Sequence, residues 1–517
     1  MKLLFACAAF AWGAFAFQDP DALPSHEAPS YDKGPDDTSA AIALLNEHKE
    51  DEAIKLLQDS LAKNPAAEKP SNLLAQVMLY HERFDEADDV INAAVKAHPD
   101  SARLHATRGD IVFREGQVLE ADTEYKLAAK LDPKNAEAYF GEARVFDMAR
   151  LRKTAHLLYL KAFELNRKNP RYEQTLYALE GNSPENILRW QKRLAEPGID
   201  ERLAMILTRR IAEAKALNGK PAFELASAYG EYQMPLSLAT RDRRILGVAL
   251  TVAIGKEKTQ LEVDTGASGL LVSSRFAKRA GLQRLADSQV AGIGNDVPHK
   301  GWVGYAEQME IGGVQFRNCL VEVSEKLDVN DQDGLIGTDI FRRFFVKINF
   351  YTRKLELSPL PGPAWDGSQP VDRQKLPDQT DYVQVFIIGH HLLIPGRISE
   401  KIGEEQSPGL FLIDTGSSRN FISTKIGIDV TKMHDDNFAK VRGLGGSVKK
   451  VYTADKVVLE FAKFRQANLD MLSVDLTNIS RSSGTEVAAM LGIPVLAIFR
   501  SITLDYRDGL VKFEYKP

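Results

Sequence analysis

The chain has 517 residues, 26% of them charged and 44% hydrophobic, with a formal net charge of -5. Such a length exceeds one core and implies about three domains. The slightly acidic, ordinary soluble composition offers no electrostatic footprint for nucleic acid or an anionic membrane.

In chain order, Lys2 precedes an apolar run from Leu3 to Phe17, and the polar Gln18-Asp19-Pro20 follows. This pattern predicts a secretory signal over residues 1–17, cleaved near Ala14-Phe15-Ala16, because the run is shorter than the ~20 apolar residues of a membrane span. The mature chain is expected to be exported, periplasmic or secreted, with no stable membrane span. Once Cys7 leaves, Cys319 would be the lone thiol, expected to be a buried small hydrophobe beside Leu320 and Val321. Residues 18–37, rich in Pro, Asp and Ser, predict a flexible leader.

From 38 to about 168 the sequence repeats. Ala53, Ala87, Ala121 and Ala155 stand 34 apart, as do Ala41, Ala75, Gly109 and Ala143, and Pro65, Pro99 and Pro133. Two helices per period, small residues where they cross and Pro closing the second resemble tetratricopeptide repeats. That resemblance implies an all-α solenoid with a concave face that binds peptide or protein, although Ser71 and His105 replace the large aromatic that Tyr139 supplies in the fourth copy. Residues 169–240 look helical without the register and predict capping or linking helices. The solenoid is expected to be a modular recruitment arm, removable over 38–168 without loss of short-peptide hydrolysis.

Beyond about 245 the period changes to two, as in Gly247-Val-Ala-Leu-Thr-Val-Ala-Ile-Gly255, which predicts β-strands. Two frames follow, Leu261-Glu-Val-Asp-Thr-Gly-Ala-Ser268 and Phe411-Leu-Ile-Asp-Thr-Gly-Ser-Ser418, so Asp264 and Asp414 lie 150 apart in near-duplicate contexts. Two carboxyls a few ångströms apart cannot both ionise, and the pair holds one proton between a base and an acid. Gly266 and Gly416 permit the tight turns, and Thr265 and Thr415 are placed to bond across the junction and lock them. Each frame is followed by a Gly-rich hairpin, Ala291-Gly-Ile-Gly294 and Arg442-Gly-Leu-Gly-Gly446, and then by an aliphatic-Gly strand ending at Gly337 or Gly492. The hairpins predict flaps with tips at Gly294 and Gly445, and the later glycines let a second strand pass close behind each turn.

Both halves resemble retropepsin-type aspartic peptidases, set in tandem as in pepsin-like enzymes. The resemblance implies a multidomain α + β chain in which the solenoid precedes a bilobal, mostly antiparallel β domain, with lobe 1 at 241–360, a linker at 361–381 and lobe 2 at 382–517. It implies catalytic roles for Asp264 and Asp414, supporting roles for Thr265, Gly266, Thr415, Gly416, Ser417, Gly337 and Gly492, a peptide or protein substrate, and no metal or organic cofactor. Ala267 stands where lobe 2 has Ser417, which predicts different hydrogen bonding for the two aspartates. The flaps lack an obvious Tyr, with Trp302 and Tyr452 the nearest aromatics. Consecutive His390 and His391, read as strand residues, would point to opposite faces and form no joint site.

A competing expectation is a catalytically silent scaffold in which the solenoid captures a partner and the lobes only bind peptide. Joined carboxyls favour the enzyme, whereas separated ones, or a cleft plugged by 391–409, favour the scaffold. Pairing of each lobe with another chain is a third arrangement open to the sequence.

Overall fold

The computed structural model describes residues 2–5, 9–11, 37–241, 244–292, 299–327, 333–362, 370–374, 379–403, 406–444 and 446–515. The leader expected over 18–37 lies outside them except for Asp37, which opens the first helix.

The 34-residue period becomes four helix pairs. These are Asp37–Asn46 with Glu50–Lys63, Glu68–Tyr80 with Phe84–Ala97, Ala102–Arg114 with Val118–Leu131, and Ala136–Met148 with Arg152–Leu165. Ala53, Ala87, Ala121 and Ala155 sit where helices cross and are at most 1% exposed. Each pair turns through a left-handed residue at the same register, namely His48, Glu82, Gly116 and Arg150 at φ 58°, 57°, 86° and 64°. The next N–H reaches back to close the first helix of the pair, as in Lys49 N to Leu44 O and Gln117 N to Val112 O, both 2.9 Å. That is the helix-ending bond pattern that a left-handed residue allows. Helices Pro170–Leu179, Pro184–Leu194 and Glu201–Leu217 then cover the last pair. Among the described residues, no helix is long and apolar enough to cross a membrane.

The helices expected over 169–240 extend to Leu217, but the β-part starts at Glu224, which corrects the end of that stretch. Tyr232–Pro235 pairs antiparallel with Lys354–Leu357, and Ser237–Arg241 pairs with Arg244–Ile254. Tyr232–Pro235 is the outer strand of a six-stranded sheet that continues through Lys354–Pro359, Phe344–Asn349, Ser501–Asp505, Leu510–Glu514 and Val383–Gln384. Three strands come from each lobe. They meet where Phe345 faces Asp505 and Asn349 faces Ser501. The lobes therefore pair within this chain.

Above that shared sheet each lobe builds the same motif. In lobe 1, Glu257–Asp264 runs parallel to Gly334–Gly337, which lies antiparallel to Leu270–Ser273, itself parallel to Val314–Ser324. Lobe 2 repeats order and sense with Ser407–Ile413, Ala489–Leu491, Phe421–Ser423 and Phe464–Val474. Strand His391–Ser399 pairs with Ser407–Ile413 inside lobe 2, so that stretch belongs to the lobe wall. Near the N-terminus, Lys2–Phe5 runs parallel to Ala439–Arg442, and Ala9–Ala11 lies antiparallel to Val290–Gly292. The segment read as a signal thus pairs with a strand of each predicted flap.

The solenoid is docked, which corrects the expectation of a separable arm. Its helix-pair turns form one edge, and successive turns meet lobe 2. Arg481 donates to Glu82 at 2.8 and 2.9 Å, Lys425 sits 3.9 Å from the Phe84 ring centre, and Thr485 Oγ1 donates to the Phe113 carbonyl at 2.6 Å. Glu486 N donates to Arg114 O at 2.8 Å. Val112, Phe113, Val118 and Met148 share one buried cluster with Phe386, Ile388, Leu393 and Leu410. The reason is geometric: a fixed period repeats any residue of the turn along one side, so a single edge can carry a continuous interface.

Full burial of each such side chain contributes about 1.5–3 kcal/mol. Deleting 37–168 is therefore expected to lower the melting temperature of the remainder by about 10 °C or more, at roughly 2–4 °C per kcal/mol for lobes of this size, or to cause aggregation. Scanning calorimetry of the truncated chain checks this, and an unchanged transition would mean that the interface is dispensable.

Candidate active site

Asp264 ends its strand and Asp414 follows the equivalent strand, so both carboxyls sit at the tips of turns that face each other across the lobe junction. Both residues are 0% exposed. The turns are locked reciprocally. Thr265 N donates to Thr415 Oγ1 at 3.1 Å and Thr415 N to Thr265 Oγ1 at 3.0 Å. Each hydroxyl then donates onward to the opposite strand, Thr265 Oγ1 to Ile413 O at 2.7 Å and Thr415 Oγ1 to Val263 O at 2.8 Å. Four buried bonds satisfy both hydroxyls and fix the separation of the strands that carry the acids.

The backbone orients each carboxyl as well. Gly266 N donates to Asp264 Oδ1 at 2.7 Å, and Gly416 N donates to Asp414 Oδ1 at 2.9 Å. A Cβ on Gly266 would lie 3.1 Å from Asp414 Cγ and 3.2 Å from Oδ1 of each aspartate, so a side chain there would press the pair apart. Gly337 and Gly492 back the turns as the aliphatic-Gly segments implied. A Cβ would stand 2.5 Å from Ala267 O in the first case and 2.1 Å from Arg419 O in the second.

Asp414 is pushed well above the ordinary carboxylate range, first by burial, then by the charge of Asp264 and a hydrogen bond with it. The Gly416 N–H opposes the rise and Glu262 adds to it. An acid held neutral beside a second acid is the arrangement that retains one proton between two carboxyls.

Other sequence-derived residues are placed as follows. Ser417 is buried but donates its hydroxyl to Arg419 O at 2.7 Å, so the Ala267/Ser417 difference does not supply the expected asymmetry between the aspartates. The hairpins expected as flaps are the antiparallel pairs Gln283–Gly292 with His299–Ile311 and Ala439–Gly443 with Gly446–Ser447. Their expected tips, Gly294 and Gly445, lie outside the described residues. Leu444, beside the second tip, packs in one cluster with Ala267, Leu271, Val290 and Leu335 of lobe 1, so the second hairpin reaches across the junction. Trp302 lies on the first flap under the Arg284 guanidinium, and Tyr452 is paired with Ser473. Cys319 is buried in the lobe 1 core, and burial pushes its thiol up to about 12, so it is inert at neutral pH.

Two residues beside the aspartates, His390 and Glu262, carry no motif signal for the site. His390 precedes its strand in a tight turn, so strand alternation does not apply to it, and its ring lies 4.2 Å from that of His391. Burial lowers His390 to about 4 while a hydrogen bond with the backbone of Gly266 opposes the shift, which places a neutral ring against the first aspartate turn. His391, bonded to Ser483 at 2.9 Å, is likewise lowered by burial. Glu262 was overlooked although it stands two residues before Asp264, a spacing that puts both on one strand face.

With this geometry in place, comparison with known proteins is informative. Residues 250–343 match the family described as gag-polyprotein putative aspartyl protease, and residues 40–111 match the tetratricopeptide repeat. The chain carries a gag-type aspartyl protease domain and tetratricopeptide repeats. Over 121 residues it is 30% identical to DNA damage-inducible protein 1 of Chaetomium globosum, a match covering 22% of this chain and about a quarter, 26%, of that relative. Among solved structures, a thermophilic TPR protein of Thermus thermophilus is 18% identical at a TM-score of 0.30, covering 34% of this chain and 96% of that one. A crystal structure of MamA is 16% identical at a TM-score of 0.23, covering 35% and 95%. The protease match spans the Asp264 half, and the Asp414 half repeats its topology without a separate match among these.

The Thr lock leads to a stability prediction. Thr415→Val removes the donor to Val263 O and the acceptor for Thr265 N, and is expected to cost about 2–4 kcal/mol because each buried partner left unsatisfied costs about 1–3 kcal/mol. Thr415→Ser should recover most of that loss. Urea unfolding of the three proteins decides it, and equal stability of the Val variant would show that the lock contributes nothing.

Proposed function

We propose that the chain is an exported aspartic-type endopeptidase that hydrolyses peptide bonds with a water activated between Asp264 and Asp414. The observation that carries this reading is the threonine-locked pair of turns, which joins two buried carboxyls from two lobes of one chain and raises the proton affinity of one of them. The ionised member takes a proton from water as the oxygen attacks the scissile carbonyl carbon, and the protonated member donates a hydrogen bond to the carbonyl oxygen. Collapse of the tetrahedral intermediate breaks the C–N bond, and the carboxyl that gained the water proton passes it to the leaving nitrogen. The two roles are interchangeable because the proton belongs to the pair.

Against a catalytically silent scaffold stands the pairing of His391–Ser399 with Ser407–Ile413 in the lobe 2 wall, with Asp414 hydrogen-bonded to Asp264. The pairing of the extended segments Lys2–Phe5 and Ala9–Ala11 with a strand of each hairpin supports a peptide substrate bound by backbone pairing. The tetratricopeptide repeats suit a peptide or protein partner. The apolar run after Lys2 supports export.

Asp264→Asn and Asp414→Asn are each expected to lower kcat for peptide cleavage by about 10³ or more, within the range that acid–base groups contribute, with the melting transition retained. Near wild-type turnover in either variant contradicts the mechanism. Because the raised proton affinity of Asp414 preserves the singly protonated pair, activity should persist while that proton is held and fall as pH rises through its loss; a rate still climbing into alkaline pH would contradict it. Export is checked by sequencing the N-terminus of the protein recovered outside the cytoplasm. A start near Phe17 supports it, and an intact Met1 retained inside the cell contradicts it.

A further inference from the structure

Over the three residues that precede each aspartate, the two strands match in kind at all but one. Leu261 faces Phe411 in the alignment and Val263 faces Ile413, whereas two residues before the aspartate lobe 1 has Glu262 and lobe 2 has Leu412. Glu262 lies in the same strand as Asp264, and alternation puts both side chains on one face, about 7 Å apart along the chain. Like the two aspartates, it is 0% exposed. The neighbouring strand makes room for its carboxyl: a Cβ on Gly247 would stand 2.3 Å from Glu262 Oε1 and 3.2 Å from its Cδ. The residue paired with Glu262 on that side is Ala249, and Leu335 is paired with it on the other.

Burying an acid carries a desolvation cost, and nothing in the motif demands one, because Leu412 fills the equivalent place in lobe 2 with 0% exposure. Resting on the peptidase reading above, we propose that Glu262 is a positioning residue for the proton of the aspartate pair, a third acid whose negative charge makes the dyad hold its shared proton to higher pH. The charge of Glu262 is among the causes of the rise at Asp414. The titratable groups that face this region are few among the described residues. Asp264 shares its strand face, Asp414 lies across the junction, and His390 is a neutral ring against Gly266. The Tyr506 hydroxyl, bonded to Thr338, is held protonated by burial. Asp339, buried behind the Asp264 turn, accepts from Gly269 N at 2.9 Å and has Arg342 beside it. Glu262 adds its charge from one lobe only, which makes the two aspartates inequivalent.

The test is the pH dependence of kcat/KM for Glu262→Gln, Glu262→Leu and Glu262→Asp beside the wild type, with a peptide that the wild type cleaves. Removing the charge should move the alkaline limb of the profile, where Glu262 is ionised, to lower pH by about one to two units, the size expected for charges roughly 7 Å apart at a protein-like dielectric. Gln and Leu should agree, Leu being the residue that lobe 2 already tolerates, and Asp should restore the wild-type limb. An alkaline limb that stays in place while the rate falls by one factor at every pH would mean that Glu262 only fills space, and would overturn the proposal.

Melting temperature against pH gives a second readout that needs no turnover. Asp414, whose folded-state proton affinity is raised, loses stability as pH climbs above its unfolded value of about 3.9. The advantage of the Gln variant over wild type should therefore grow from about pH 4 to about pH 7. Parallel melting curves overturn the proposal. Diverging curves in a wild-type protein that cleaves nothing uphold it and count against the peptidase reading alone.

Discussion

The reciprocal bonding of Thr265 and Thr415 is the constraint on which the rest of the site depends. Two like charges repel, and two strands from separate lobes have no reason to place their ends a few ångströms apart unless something else holds them there. Four hydrogen bonds, all buried, hold them by exchanging backbone donors and acceptors between the turns. Once the strands are pinned, the Gly266 and Gly416 amides orient the carboxyls, and the bareness of Gly266 lets them approach. The raised proton affinity of Asp414 is the electrostatic result of that enforced proximity within a dry interior.

The six-stranded sheet plays the complementary role at larger scale. Its central pairing of Phe344–Asn349 with Ser501–Asp505 fuses the lobes by backbone bonds, so the geometry at the turns is not left to a side-chain contact alone. The solenoid extends this rigidity. Its turn edge bonds the loop at 485–486 that leads into Ala489–Leu491, the strand lying directly beside the one that carries Asp414. On the other side, Arg209 of the last helix is paired with Glu322, which accepts from Ser288 of the first flap at 2.7 Å. Helical and β parts thus form one mechanical unit with the active site between two points of attachment.

Much of this was legible in the sequence because it rests on period and duplication. A 34-residue repeat of small residues can only mean stacked helix pairs, and two Asp-Thr-Gly frames in matching contexts imply two equivalent turns. What escaped were features that the pattern does not carry. The strand Tyr232–Pro235 is too short to show alternation and is defined by its partner, Lys354–Leu357. The docking of the solenoid on lobe 2 joins residues far apart in the chain, such as Glu82 and Arg481, and no local signal announces it. His390 was misread because it occupies a turn where strand alternation fails. Ser417 was misread because its hydroxyl had a nearer backbone acceptor in Arg419. Glu262 was readable by alternation alone and was hidden only by the prominence of the motif beside it.

The central claim is that two buried carboxyls sharing a proton deliver water directly to a peptide carbonyl. It is tested most directly by incubating the purified chain with a diverse peptide library in heavy-oxygen water, from acidic to neutral pH, and reading products by mass spectrometry. The account predicts internal cleavage with one heavy oxygen in each new carboxyl terminus, no covalent peptide–enzyme adduct, and loss of the signal in the Asp264→Asn protein. A folded wild-type chain that cleaves no peptide at any pH, or one that accumulates an acyl adduct, would contradict it.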